Sequence, residues 1–181
     1  MKNISETRML LRLMSAGFLF NLVFGISGSF FEPSSMIQMT AWQFSDTFAI
    51  MASILASIYT GTRNENFAAA GFTMLSIAYG ISFSSSSFTA VNEEIMATII
   101  LPLVPAMLLI SACKLFPVWL RLGSVMVCIP FFFVYKNVFS HSYHPDNPSN
   151  YMGYLGIQML GVLWSIFIWK DFVKAQKQTR A

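Results

Sequence analysis

Residues 95–135 read IMATIILPLVPAMLLISACKLF, then Pro117, then VWLRLGSVMVCIPFFFVY. The only charged side chains in this stretch are Lys114 and Arg121, on either side of that proline. A helix on the surface of a water-soluble protein keeps a polar face at helical spacing, and neither half of this segment has one. Each half is close to the ~20 residues that a helix needs to cross a hydrocarbon core of ~30 Å. In lipid the backbone must satisfy its own polar groups, so such segments are helices. The stretch reads as two transmembrane spans, Ile95–Phe116 and Val118–Tyr135, joined by a tight basic turn.

Working outward, the same pattern recurs four more times. Met9–Phe31 is ended by Glu32-Pro33-Ser34-Ser35, and Gln38–Thr60 by Gly61-Thr62-Arg63-Asn64-Glu65-Asn66. Phe67–Ser87 precedes the loop Thr89–Glu94, and Tyr151–Trp169 follows the longer loop Lys136–Asn150. The sequence therefore predicts an all-α polytopic membrane protein, a bundle of six transmembrane helices forming one domain over residues 1–181. Composition agrees: 55% of the residues are hydrophobic and 10% charged, against about 25% charged in soluble domains. Six spans leave only short loops, so chemistry must use the bundle interior or the loops.

Charge placement predicts orientation. Lys2, Arg8, Arg12, Arg63, Lys114, Arg121, Lys170, Lys174, Lys177 and Arg180 all fall on one side if six helices alternate; of the basic residues only Lys136 falls on the other. The positive-inside rule makes the rich side cytoplasmic, so both termini are expected there, with a bacterial inner (plasma) membrane as the expected location. Met9–Phe31 is longer than the apolar core of a signal peptide and lacks a clean cleavage pattern, so it reads as a retained span. The net charge of +3 resides at helix ends, and no nucleic-acid-binding motif accompanies it. The expected partner is the lipid bilayer, with a second copy or another membrane subunit as a further candidate. Cys113 and Cys128 fall at different depths, which argues against a disulfide. Three spans on either side of the midpoint match the plan of inverted-repeat transporters, but the halves share no residue pattern.

Asp46 is the most informative residue. It lies near the middle of the second span, where an ionisable group costs ~2.5–3.5 kcal/mol on insertion scales and marks a functional-site candidate. Gln43, Asp46, Thr47, Ser53 and Ser57 share one arc of that helix at 100° per residue. Thr73, Ser76, Gly80, Ser84 and Ser87 form a similar stripe on the third span, and Asn21 and Gln158 add polar groups from the first and sixth. One reading is a wet pathway with a proton or cation site at Asp46, Gln43, Thr47, Ser76, Gln158 and Asn21. The plainer one is helix packing, since small polar residues allow close approach and cross-helix hydrogen bonds. Gly17, Asn21, Gly25 and Gly28 read as such a contact, within the chain or between subunits. Pro102, Pro105 and Pro130 should each bend their helix and free a carbonyl.

Glu32, Glu93, Glu94, His141, His144 and Asp146 gather in the non-cytoplasmic loops. His141 and His144, three residues apart, suit one metal if they lie on a helical turn, with Glu93 and Glu94 completing the set. An enzyme is less well supported: no histidine lies within a span, and Gly25-Ile26-Ser27-Gly28-Ser29 lacks a neighbouring base. A lipid-acting enzyme at the outer face would have to use the loop histidines and carboxylates. No pattern identifies a cofactor. Phe44-Ser45-Asp46, followed by Thr47-Phe48-Ala49-Ile50, resembles the Phe-Ser-Asp signature of six-span lysosomal and bacterial potassium channels. There the motif lies on the first span, here on the second, and no residue role carries over. The leading expectation is a small transporter or channel for an ion, proton or small solute centred on Asp46; the alternative is a non-transporting subunit, sensor or assembly factor.

Overall fold

The computed structural model describes residues 4–32, 35–86, 93–144 and 147–180. Among them are seven helices and no strand: α1 (Ile4–Gly28), α2 (Met36–Thr62), α3 (Asn66–Ser86), α4 (Glu93–Ser111), α5 (Val118–Met126), α6 (Cys128–Phe139) and α7 (Pro148–Arg180). Five stretches are long and apolar enough to cross a membrane: Ile4–Gly28, Asn66–Ser85, Glu93–Ser111, Val118–Phe139 and Pro148–Gln178. The remaining long helix is α2, whose 27 residues carry Gln38, Gln43, Ser45, Asp46, Thr47, Ser53 and Ser57. That polar load sets it apart from the other five.

The helix ends follow from local chemistry. Ser35 caps α2 by accepting a hydrogen bond from the backbone N–H of Gln38 at 3.2 Å, which satisfies an orphan donor of the first turn. At the other end Asn64 adopts a left-handed φ of 61°. Its N–H reaches Gly61 O at 3.1 Å and the Glu65 N–H reaches Thr60 O at 3.0 Å, the paired bonds of a Schellman stop. The same device ends α6, with His141 at φ 52° and bonds from His141 N to Val138 O and Ser142 N to Asn137 O.

Several boundaries differ from the sequence reading: α1 runs Ile4–Gly28 rather than Met9–Phe31, and α6 continues to Phe139 rather than ending at Tyr135. The fourth helix stops at Ser111, short of Phe116; Arg121 Nε caps the Ser111 carbonyl at 2.7 Å. The fifth span is broken at Val127, four residues after Gly123 and one turn before Pro130. Pro130 has no N–H for the Met126 carbonyl, so the expected interruption occurs there. Pro102 and Pro105, in contrast, sit inside one continuous α4. The last helix runs on through the basic tail instead of ending at Trp169. The third-span residue Ser87 lies outside the described residues.

Each rod packs on its sequence neighbours, α5 and α6 acting as one, and α7 returns to α1 to close a ring. Neighbours run antiparallel. Along α1, Gly17, Asn21 and Gly28 meet Ala52, Ser45 and Trp42 of α2 in reverse order. Phe18 and Gly25 likewise meet Gly161 and Gln158 of α7. The small-residue stripe of α1 thus serves contacts within the chain. On α3, a Cβ at Gly71 would lie 2.8 Å from Ala106 O and 2.9 Å from Ile110 N of α4. Both are backbone atoms and cannot rotate away. Gly71→Ala is therefore expected to destabilise the fold by about 1–3 kcal/mol, read as a lower unfolding midpoint; an unchanged midpoint would refute this close approach.

The ring is filled near its centre. Trp164 of α7 is fully buried; it meets Phe116 in a stacked arrangement at 6.5 Å between ring centroids, and Phe72 of α3 and Phe18 of α1 edge-on at 5.3 and 6.2 Å. Edge-to-face contacts of this kind add to the gain from packing. These rings come from across the bundle and plug its axis. Cys113 and Cys128 are both free.

Candidate functional site

The end of the bundle bearing Arg63, Lys114 and Arg121 is here termed the basic end. Above the plug, towards the opposite end, the ring encloses a cavity of about 360 Å³. Its deeper wall is made by Gly25 of α1, Ser45 and Asp46 of α2, Tyr79 and Ser82 of α3, Ile99 of α4 and Gln158 of α7. Phe30, Tyr143, Asn150 and Tyr151 line it nearer the opposite end, and Trp42, Met96 and Tyr154 complete the sides.

Asp46 is 8% exposed, and the hydroxyl of Ser82 on α3 is its side-chain hydrogen-bond partner. Among the described residues no lysine, arginine or histidine lines the cavity. The ion pairs among the described residues are Arg63–Asp171 and His141–Glu93, so Asp46 has no cationic neighbour at ion-pairing distance. Tyr79 and Tyr154 lie within electrostatic reach of its charge. The Tyr79 hydroxyl is buried beside the Asn21 side chain without completing a hydrogen bond.

The rotation of α2 that aims Asp46 inward is set by Asn21. Its amide donates to Ser45 O at 3.1 Å and to Ser45 Oγ at 2.9 Å, and Ser45 Oγ donates back to Asn21 O at 2.9 Å. Gly25 brings α1 so close to α7 that its Cα rests on the Gln158 amide.

The six sequence-chosen residues divide accordingly. Asp46 and Gln158 line the cavity, and Asn21 stands one layer behind it. Thr47 is exposed, its hydroxyl folded back onto Gln43 O at 2.8 Å. Gln43 and Ser76 are half-buried outside the lining. Of the two stripes, Ser57 and Thr73 meet each other at 2.9 Å between α2 and α3, a packing contact. The aromatic residues and Ser82 were not singled out from sequence.

The segment between α6 and α7 contributes a brace. Glu93, at the start of α4, accepts from Tyr143 N at 3.3 Å and pairs with His141 Nδ1 at 3.1 Å. This holds the segment from which Tyr143 reaches the cavity. His141 follows the end of α6, so His141 and His144 do not share a helical turn. Among the described residues no three His, Cys, Asp or Glu side chains gather at one point; Asp146 lies outside those residues.

At the basic end Asp171 of α7 accepts from Arg63 Nε at 2.8 Å, from Arg63 Nη2 at 3.1 Å and from Tyr59 Oη at 2.8 Å. This two-pronged contact latches the end of α2 to α7 beneath the plug. Arg63 is 38% exposed, so solvent screens much of the ion pair. Asp171→Ala is expected to cost only about 1 kcal/mol, seen as a small fall in unfolding midpoint. It should also speed thiol labelling of a cysteine placed at the neighbouring buried Thr60. Unchanged labelling would count against a latch.

No protein-family model, no curated protein and no solved structure matches this chain.

Proposed function

We propose that this chain is an integral membrane protein that crosses a plasma (inner) membrane six times, with both termini in the cytoplasm, and that it carries a small solute through the Asp46 cavity. The five apolar rods support the membrane reading. The sixth, α2, is the polar one, and its carboxylate is turned inwards between neighbours that shield it from lipid. The gathering of basic residues at one end of the ring agrees with cytoplasmic termini.

One observation carries the transport reading: a buried carboxylate without a basic partner among the described residues faces a solute-sized cavity inside the ring of helices. The aromatic plug and the Arg63–Asp171–Tyr59 latch lie between this cavity and the basic end. An open channel needs a continuous path, whereas a carrier that opens alternately to its two sides has one closed end in each state. The arrangement favours a carrier whose chamber faces the non-cytoplasmic side. Such a chamber also suits a ligand-sensing subunit, which would bind without moving its ligand.

The test is solute uptake into proteoliposomes of the purified full chain, with cysteine labelling from each side to fix topology. Uptake that vanishes on substitution of Asp46 supports the carrier. Saturable binding with no uptake by folded protein would replace it by the sensor. Labelling that places the Lys170–Arg180 segment outside would overturn the orientation.

A further inference from the structure

We propose that the ligand of this cavity is a lipophilic organic cation, an amine or quaternary ammonium compound with an apolar body, whose charged head sits at Asp46. The inference rests on reading the cavity as a solute-binding site and names the chemical class that it takes.

Charge is the first argument. A carboxylate removed from water needs a cation or several donors to offset its lost hydration. Asp46 has the Ser82 hydroxyl, and among the described residues no basic side chain lines the cavity. A ligand cation would supply the missing charge. A ligand anion would meet the carboxylate at close range with nothing to neutralise either.

The walls are the second argument. Trp42, Tyr79, Tyr143 and Tyr154 share this cavity with Asp46. The faces of aromatic rings attract cations, most strongly where water is excluded, and cages of such rings recognise quaternary ammonium groups. The Tyr79 hydroxyl, buried beside Asn21, is a second polar group on the cavity wall.

Size and polarity separate an organic cation from a metal ion or a proton. The volume of about 360 Å³ is within the ~300–1,000 Å³ of small-molecule pockets and far above the ~30 Å³ share of one water. Metal cations of the hard type take six or more oxygen ligands, usually with several carboxylates or carbonyls among them; this lining has one carboxylate, and its other side-chain oxygens are neutral Ser, Tyr, Asn and Gln groups contributed by several helices. A bare ion would leave the apolar volume unfilled. Ile26 on α1, Phe30 just beyond its end, and Tyr151 and Leu155 on α7, which line the cavity and are also exposed, offer apolar surface to the body of the ligand.

The experiment compares two molecules of the same shape. Benzyltrimethylammonium carries a permanent charge, and neopentylbenzene is its neutral carbon isostere. Binding of each to the purified full-length protein is measured by calorimetry, for wild type, Asp46→Asn and Trp42→Leu. The wild type should prefer the cation. Asp46→Asn should weaken cation binding about tenfold or more while leaving the neutral isostere unchanged, which also shows that the variant is folded. Trp42→Leu should weaken the cation about three- to fivefold. Equal affinity for both molecules in the wild type, or no binding of either by folded protein, overturns the inference. Uptake of neutral solutes without cation preference would also overturn it and leave the carrier reading standing. Cation binding without uptake supports the inference and removes the carrier.

Discussion

Trp164→Ala is expected to lower the unfolding midpoint by roughly 10 °C, the largest stability loss of any single substitution discussed, corresponding to about 3–5 kcal/mol. Trp164 is fully buried and is the largest side chain in the core. Its ring touches Phe18, Phe72 and Phe116, which belong to three separate parts of the ring of helices. In the proposed membrane setting lipid tails are as apolar as these side chains, so the loss is one of close contacts rather than of burial from water. Its indole N–H has no hydrogen-bond partner, so Trp164→Phe should retain most of the stability. The alanine variant also empties the axis between the cavity and the basic end. Proteoliposomes bearing it should leak protons or small cations that the wild type retains. A stable, tight alanine variant would mean that these rings do not close the bundle.

Asp46→Asn is expected to reduce uptake of a cationic solute by about 10²-fold or more, because one partner of a buried charge pair is removed from the bound state. Stability should move the other way. An isolated carboxylate in an apolar interior is a burden on the fold, and the amide has nearly the same shape and can still meet Ser82. The unfolding midpoint should therefore hold or rise while uptake disappears. If Asp46 merely tied α2 to α3, the outcome would be reversed, with a lower midpoint and persistent uptake. The pair of measurements, thermal unfolding and initial uptake rate on the same preparations, separates the two roles.

The apolar helices were legible because each is a run of hydrophobic residues ended by Pro, Gly or charge. The interruption at Val127 was legible in Pro130, and Asp46 stood out as a charge in an apolar run. The cavity was not legible. Trp42, Tyr79 and Tyr154 are aromatic residues in apolar helices, where most such residues serve packing or the membrane interface. Nothing in their spacing shows that they face one space. Thr47 shared a helical arc with Asp46, but an arc of that width takes in both the interior and the outer surface. The Asn21–Ser45 contact, which decides which edge points inward, joins residues distant in sequence. Asp171 was overlooked because it stands among lysines near the end of the chain, where a lone acid reads as solvated. Its partner Arg63 was counted only as an orientation signal.

The 33 residues of α7, at 1.5 Å each, make a rod of about 50 Å, well beyond a hydrocarbon core of ~30 Å. Asp171 and the buried Phe172 anchor the rod just where its basic extension begins. A soluble protein spliced in helical phase after Gln178 would therefore inherit the attitude of the bundle instead of swinging on a tether. The chain carries its own mast, by which a small, nearly featureless helical bundle can be given a handle for imaging.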